Sequence, residues 1–170
     1  KDSVPQSISG AMFKSEYRII PRTNNEGRQY ISDKISSVEE AFQAKEYFYN
    51  LGISELQALL FTDSGEYVVN ISGNPQKVDG LKFRVFLGTY YEELPQKLTD
   101  LFIRLDYLDI EKIDDASSTT YYASNKDLYE QTKEVLKSFL DEGVSISKII
   151  AIYNGKEIDV DIAKFMTGEF

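Results

Sequence analysis

The sequence contains no cysteine and no histidine. Thiol nucleophiles, imidazole general bases and zinc centres of the Cys/His kind are therefore excluded. A lack of cysteine is compatible with any redox compartment and assigns the protein to none. Long apolar runs are missing too. No stretch approaches the roughly 20 residues needed to cross a bilayer, so no transmembrane segment is expected in this chain. No positively flanked apolar segment resembles a signal peptide. Because the chain opens on Lys1 rather than Met, it is expected to be a processed protein or a piece of a longer polypeptide. Positive charge is scarce: 19 basic residues stand against 28 acidic ones, a net charge of −9. Such a surface repels phosphate backbones, and the densest basic group, Lys77, Lys82 and Arg84, is not contiguous. Nucleic acid is not an expected partner.

What remains is a chain of 170 residues, 42% hydrophobic and 28% charged, suited to one ordinary domain or two small ones. Its C-terminal half parses most cleanly. "KFRVFLGTYY" (82–91) alternates as a strand with one buried face, and Gly88 ends it. "ELPQKLTDLFIRLD" sets Leu94, Leu98, Leu101, Phe102 and Leu105 at helical spacing, with Pro95 tolerable only in a first turn. "DIEKIDD" and "STTYYAS" read as two short strands. The following helix carries Leu128, Thr132, Val135, Leu136 and Phe139 on one face and ends at Gly143. "SKIIAIY" is the last strand, and Asn154-Gly155 is a strong hairpin signal. The order is β-α-β-β-α-β.

A shift of 91 residues lays the first half beneath the second. It brings Gly52 onto Gly143, Tyr30 onto Tyr121, Phe48 onto Phe139 and Ser54 onto Ser145, and a one-residue slip aligns Gly65 with Gly155. Strand, helix, glycine and turn recur in one order, which reads as a repeat. The first copy has room for only β-β-α-β. Its turn falls at Thr23 to Gly27, and its helix is expected to face Val38, Ala41, Ala44, Phe48 and Leu51 inward. The expected fold is α/β of the α+β kind, with antiparallel-type sheets and helices on one face. Residues 1–71 form a shortened unit whose "KDSVPQSISG" is an extended arm, 72–80 a linker rich in Gly, Pro and Asn, and 81–170 a complete unit.

Candidate catalytic groups are weak. Glu39/Glu40 and Glu92/Glu93 fall in or near first helical turns, where acidic residues favour the helix dipole, and Asp114/Asp115 fall in a turn. The acidic run Asp106, Asp109, Glu111, Asp114, Asp115 lacks the alternation and central glycine of a calcium loop and reads as a solvated rim. Asp159 is placed to cap a short last helix containing Ile162, Ala163 and Phe165. Asn70-Ile71-Ser72 matches a glycosylation sequon by pattern only. There is no glycine-rich phosphate cradle. The sequence points to no enzyme, no metal and no cofactor. Among the twelve tyrosines, Tyr90, Tyr91, Tyr121 and Tyr122 are placed to serve a ligand as well as the core.

The stretch 81–158, with Phe83, Arg84, Val85, Phe86, Leu87, Gly88, Thr89, Tyr90 at its start and "AIYNGKEI" at its close, resembles the sporulation-related repeat, the SPOR domain. The likeness is to versions in envelope proteins of Bacteroidetes-type bacteria. "TYYASNKDLYEQT" (120–132) and, in the first copy, "QYISDKISSVEEA" (29–41) are similar to the middle of that repeat. The resemblance implies a β-α-β-β-α-β module, not an enzyme. In the periplasm or cell envelope, such a module would bind peptide-stripped glycan strands of peptidoglycan on its open sheet face. Two positions depart from the family pattern: Phe86 stands for a glutamine, and Ser124 (Asp33 in the first copy) for a glycine. By alternation, Val85, Leu87, Tyr121 and Ala123 face the helices, and Arg84, Phe86, Thr120 and Tyr122 form the open face. This face is either a binding platform or is covered by the first repeat or by residues 159–166. Its ligand is either glycan or a partner protein within a larger envelope machine such as a secretion or gliding apparatus.

Overall fold

The computed structural model describes residues 4–14, 16–24 and 27–170. It is a mixed α+β protein that divides into two compact units between Ala58 and Leu59. The first unit contains helix α1 (Gln6–Lys14), strands β1 (Ile20–Asn24) and β2 (Gly27–Ile31), and helix α2 (Val38–Asn50). β1 and β2 pair antiparallel, with Ile20 opposite Ile31 and Asn24 opposite Gly27. The middle of the expected turn, Asn25 and Glu26, lies outside the described residues, as do residues 1–3 of the expected arm. From Gln6 onward that arm is helical rather than extended. Ile8, Ala11 and Met12 recur at i, i+3 and i+4, and Ala11 is buried. The period spans barely two turns, which is why the sequence reads as patternless.

Helix α2 follows its sequence signals. The Ser37 hydroxyl accepts from the Glu40 amide, while the Glu40 carboxylate accepts from both the amide (2.8 Å) and the hydroxyl (2.6 Å) of Ser36. Ala44 and Phe48 are its buried residues, and Phe48 stacks among Tyr17 and Tyr47. The Ser36 hydroxyl, then its amide, hold the Glu40 carboxyl below its ordinary value. A depressed carboxyl contributes stability above its unfolded-state value and loses it as pH falls through the folded one. The Ser36→Ala variant should therefore move the Glu40 titration, followed by side-chain NMR, up toward the ordinary carboxylate range. An unmoved titration would refute this cap.

The second unit holds a hairpin of β3 (Ala58–Thr62) and β4 (Gly65–Val69), then a five-stranded sheet. The chain runs through β5 (Leu81–Tyr90), α3 (Gln96–Arg104), a 3₁₀ turn at 106–108, β6 (Ile110–Asp114), β7 (Thr119–Lys126), α4 (Tyr129–Asp141), β8 (Lys148–Tyr153), β9 (Lys156–Ile158) and α5 (Val160–Thr167). The sheet order is β6-β7-β5-β8-β9, and all its pairs are antiparallel. The expected β-α-β-β-α-β order is present, followed by the short β9 and α5. Asn154 (φ 50°) and Gly155 (φ 79°) turn β8 into β9 with both central residues left-handed, as an Asn-Gly hairpin requires.

One sheet face carries two apolar clusters. Val85, Leu87 and Ala123 pack with Leu101, Phe102 and Leu105 around α3, and with Val135, Phe139 and Val144 at α4. Leu81, Phe83 and Ala151 pack with Ala163 and Met166 of α5, and with Tyr67 of β4. The helices α3, α4 and α5 thus share one face. Residues 159–166 cap and build α5 there, with the Asp159 carboxylate accepting from the Asp161 and Ile162 amides, so they do not lie on the opposite face.

Among the described residues the first unit holds the two-stranded β1-β2 ribbon, and β3 pairs with β4. Tyr67 and Leu60 of that hairpin pack into the α5 cluster of the second unit. The segment 70–76 is also bonded to α5. The Asn70 side-chain amide donates to the carbonyls of Asn74 and Thr167, both at 2.9 Å, and the Gln76 amide donates to the Thr167 carbonyl at 2.8 Å.

Candidate functional site

The face of the sheet away from the helices is built by β6, β7, β5 and β8. Alternation and register put Arg84 and Phe86 of β5, Thr120 and Tyr122 of β7, and Lys148 and Ile150 of β8 on it. Phe86 lies opposite Tyr122 on one side and Lys148 on the other, and Arg84 lies opposite Ile150. From the edge strand β6, Glu111 comes opposite Tyr122 and Ile113 opposite Thr120. All four residues named from the sequence therefore share the face, and Arg84, Phe86 and Tyr122 touch one another through the Tyr122 ring.

At its centre the Phe86 and Tyr122 rings meet edge to face, with centroids 5.9 Å apart. A cation lies over each ring. The Arg84 guanidinium is 4.7 Å from the Tyr122 centroid, and the Lys148 ammonium is 5.6 Å from that of Phe86. Arg84 also forms an ion pair with Glu111. Lys148 makes no ion pair among the described residues. Farther along, the Thr89 and Thr120 hydroxyls bond to each other at 2.9 Å. The surface is an aromatic strip flanked by donors, beside which Ile150 and the Arg84 Nε are buried.

Two bulges shape the strip. Phe86 pairs with Tyr122 but Gly88 pairs with Tyr121, so β5 takes two steps where β7 takes one. The side of each later β5 residue is thereby reversed: Thr89 joins the open face, and Tyr90 turns to the helix side. There Tyr90 meets Tyr121 at 5.9 Å, and burial, helped by Tyr121, raises its phenol. The second bulge places Ser124 at φ 63° in a left-handed conformation. Its hydroxyl is buried and has no partner among the described residues.

Of the four tyrosines singled out by sequence, only Tyr122 lies on this face. Tyr121 packs against the α3–α4 core and Phe102, and Tyr91 is exposed beyond the end of β5. Lys148 and Glu111 are the residues the sequence reading passed over. The all-apolar stretch after Lys148 hides which side it faces, and Glu111 reads as one of a run of acids. The remaining acidic candidates stay apart. Glu39 and Glu40 lie in the first turn of α2, whereas Glu92 and Glu93 precede α3 without entering it. Asp114 bonds the Thr119 hydroxyl and Lys112, both of which lower its carboxyl. No group of three or more carboxylates suited to a metal ion occurs among the described residues. No described helix is long and apolar enough to cross a membrane.

No family model, curated protein or solved structure matches the chain.

Proposed function

We propose that this protein is a non-catalytic binding module of the bacterial cell envelope, acting in the periplasm on peptidoglycan glycan strands. On this reading, residues 81–170 are a complete SPOR-like repeat and residues 1–71 a shortened, diverged copy. The observation that carries it is the Phe86–Tyr122 pair, flanked by cations on an open sheet face. Aromatic rings can stack on the apolar faces of sugars, and flanking donors can bond their hydroxyls and carboxylates. A strip along a sheet face suits a long polymer better than a small metabolite, which needs an enclosing pocket. The phenylalanine in place of the family's glutamine moves the emphasis from hydrogen bonding to stacking.

The test is cosedimentation with purified sacculi, before and after enzymatic removal of stem peptides. Retention on the stripped preparation is expected, and the Phe86→Ala and Tyr122→Ala variants should each weaken it about tenfold, the weight of one aromatic anchor. Absence of retention on either preparation would sink the glycan reading. One feature favours a second reading, a partner protein within a larger envelope machine such as a secretion or gliding apparatus. Ile113, 52% exposed, carries the apolar strip to the sheet edge. Under that reading, sacculi retain nothing, and a partner protein is captured by the wild type but not by the two alanine variants.

A further inference from the structure

Building on the glycan-platform reading, we infer that the charged residues of this face divide their work. Glu111 and Arg84 hold the Tyr122 ring in position, and Lys148 is the cation that meets the ligand. Arg84 sits in the interior of the strip: its side chain is 16% exposed, and its Nε is buried without a hydrogen-bond partner among the described residues. Its charge is taken up by Glu111, and its guanidinium lies over the Tyr122 ring. A guanidinium fixed at one side by a carboxylate and against a ring is a strut, because a ligand could reach it only by displacing one of them. Glu111 is the outer end of this strut. It comes from the edge strand, its side chain is 59% exposed, and it is directly opposite Tyr122 in the register.

Lys148 has the opposite character. It is exposed, it lies over Phe86, and no described carboxylate neutralises it. In a chain of net charge −9, an ammonium left unpaired beside the aromatic pair is a donor available to hydroxyl or carboxylate oxygens of whatever stacks there. Glu111 therefore belongs to the site as a positioning residue, and Lys148 replaces Arg84 as the polar contact.

Two measurements on the full chain test this. The first needs no ligand: NMR of the tyrosine rings in wild type, Glu111→Gln, Glu111→Asp and Lys148→Met. In Glu111→Gln the Tyr122 ring resonances should shift and its flipping quicken, while Asp restores most of the wild-type signal and Lys148→Met leaves it unchanged. The second is retention on peptide-stripped sacculi. Lys148→Met should bind about tenfold more weakly, the loss of one charged hydrogen bond, and Glu111→Gln should bind more weakly, with Glu111→Asp restoring most of the retention. Tyr122 resonances in Glu111→Gln identical to wild type would overturn the strut. Undiminished retention of Lys148→Met would overturn its role as the contact. If wild type itself is not retained, the glycan reading fails and the Lys148 assignment falls with it, whereas the ring measurement still decides the strut.

Discussion

Replacing Gly88 by alanine is expected to destabilise the second unit by about 3 kcal/mol, read from urea unfolding followed by tyrosine fluorescence. Gly88 has φ 130°, in a region that side chains with a Cβ scarcely enter, and that strain alone costs ~1–3 kcal/mol. An added Cβ would also stand 2.6 Å from Ile146 Cδ1 and 3.0 Å from the Tyr90 ring. The Ile146 side chain is 55% exposed and can swing away, so that collision is cheap. Tyr90 has less freedom: its hydroxyl donates to the Leu87 carbonyl and its ring abuts Tyr121, which packs on the α3–α4 core. Gly143 provides the comparison. It is left-handed too, at φ 88°, but a Cβ there meets nothing within 4 Å. Gly143→Ala should cost only about 1 kcal/mol, the ordinary left-handed penalty. Equal losses for the two variants would contradict the bulge geometry that turns Tyr90 away from the open face.

The same bulge explains what was legible in the sequence and what was not. Alternation assigns sides correctly for as long as the strand is regular. It therefore places Arg84, Phe86, Thr120 and Tyr122 on one face and Val85, Leu87, Tyr121 and Ala123 on the other. Past Gly88 the parity reverses, and Tyr90 falls on the helix side. Strong local signals hold throughout: the Asn154-Gly155 turn, the Asp159 cap and the glycines closing α2 and α4 behave as their chemistry demands. Choice of partner is another matter. The "ALLFTDSGEY" hairpin has the spacing of the later hairpin, yet among the described residues β3 pairs only with β4, whereas β8 pairs with β5 as well as β9. Alternation fixes which residues of a hairpin are apolar, and it does not say which core will receive Leu60 and Tyr67. Lys148 was hidden for a related reason, since a strand apolar on both faces carries no parity signal.

The second large effect is expected at Glu169, a residue with no sequence motif to announce it. Helix α4 starts behind Leu128, whose side chain offers its first amides no acceptor. The Glu169 carboxylate, arriving from beyond α5, accepts from the Tyr129 amide at 2.8 Å and the Glu130 amide at 3.0 Å. It is thus an N-cap supplied from 40 residues away, and its charge lies at the positive end of the helix dipole. The buried Thr167 hydroxyl donates to the same carboxylate at 2.8 Å, and Gly168, left-handed at φ 83°, turns the chain so that Glu169 can reach. Because the Thr167 carbonyl is bonded by Asn70 and Gln76, the carboxylate ties α4 to α5 and to segment 70–76 at one point. Glu169→Ala leaves two helix amides without their acceptor and should cost about 2 kcal/mol. Glu169→Gln keeps one acceptor oxygen but loses the charge, and should cost about half as much. Urea unfolding gives the totals, and amide exchange at Tyr129 and Glu130 should quicken in both variants, more in Ala than in Gln. Wild-type exchange at these two amides in Glu169→Ala would mean that α4 draws its cap from water, and that the C-terminal segment is held by the apolar contacts of Ala163 and Met166 and the bonds to the Thr167 carbonyl.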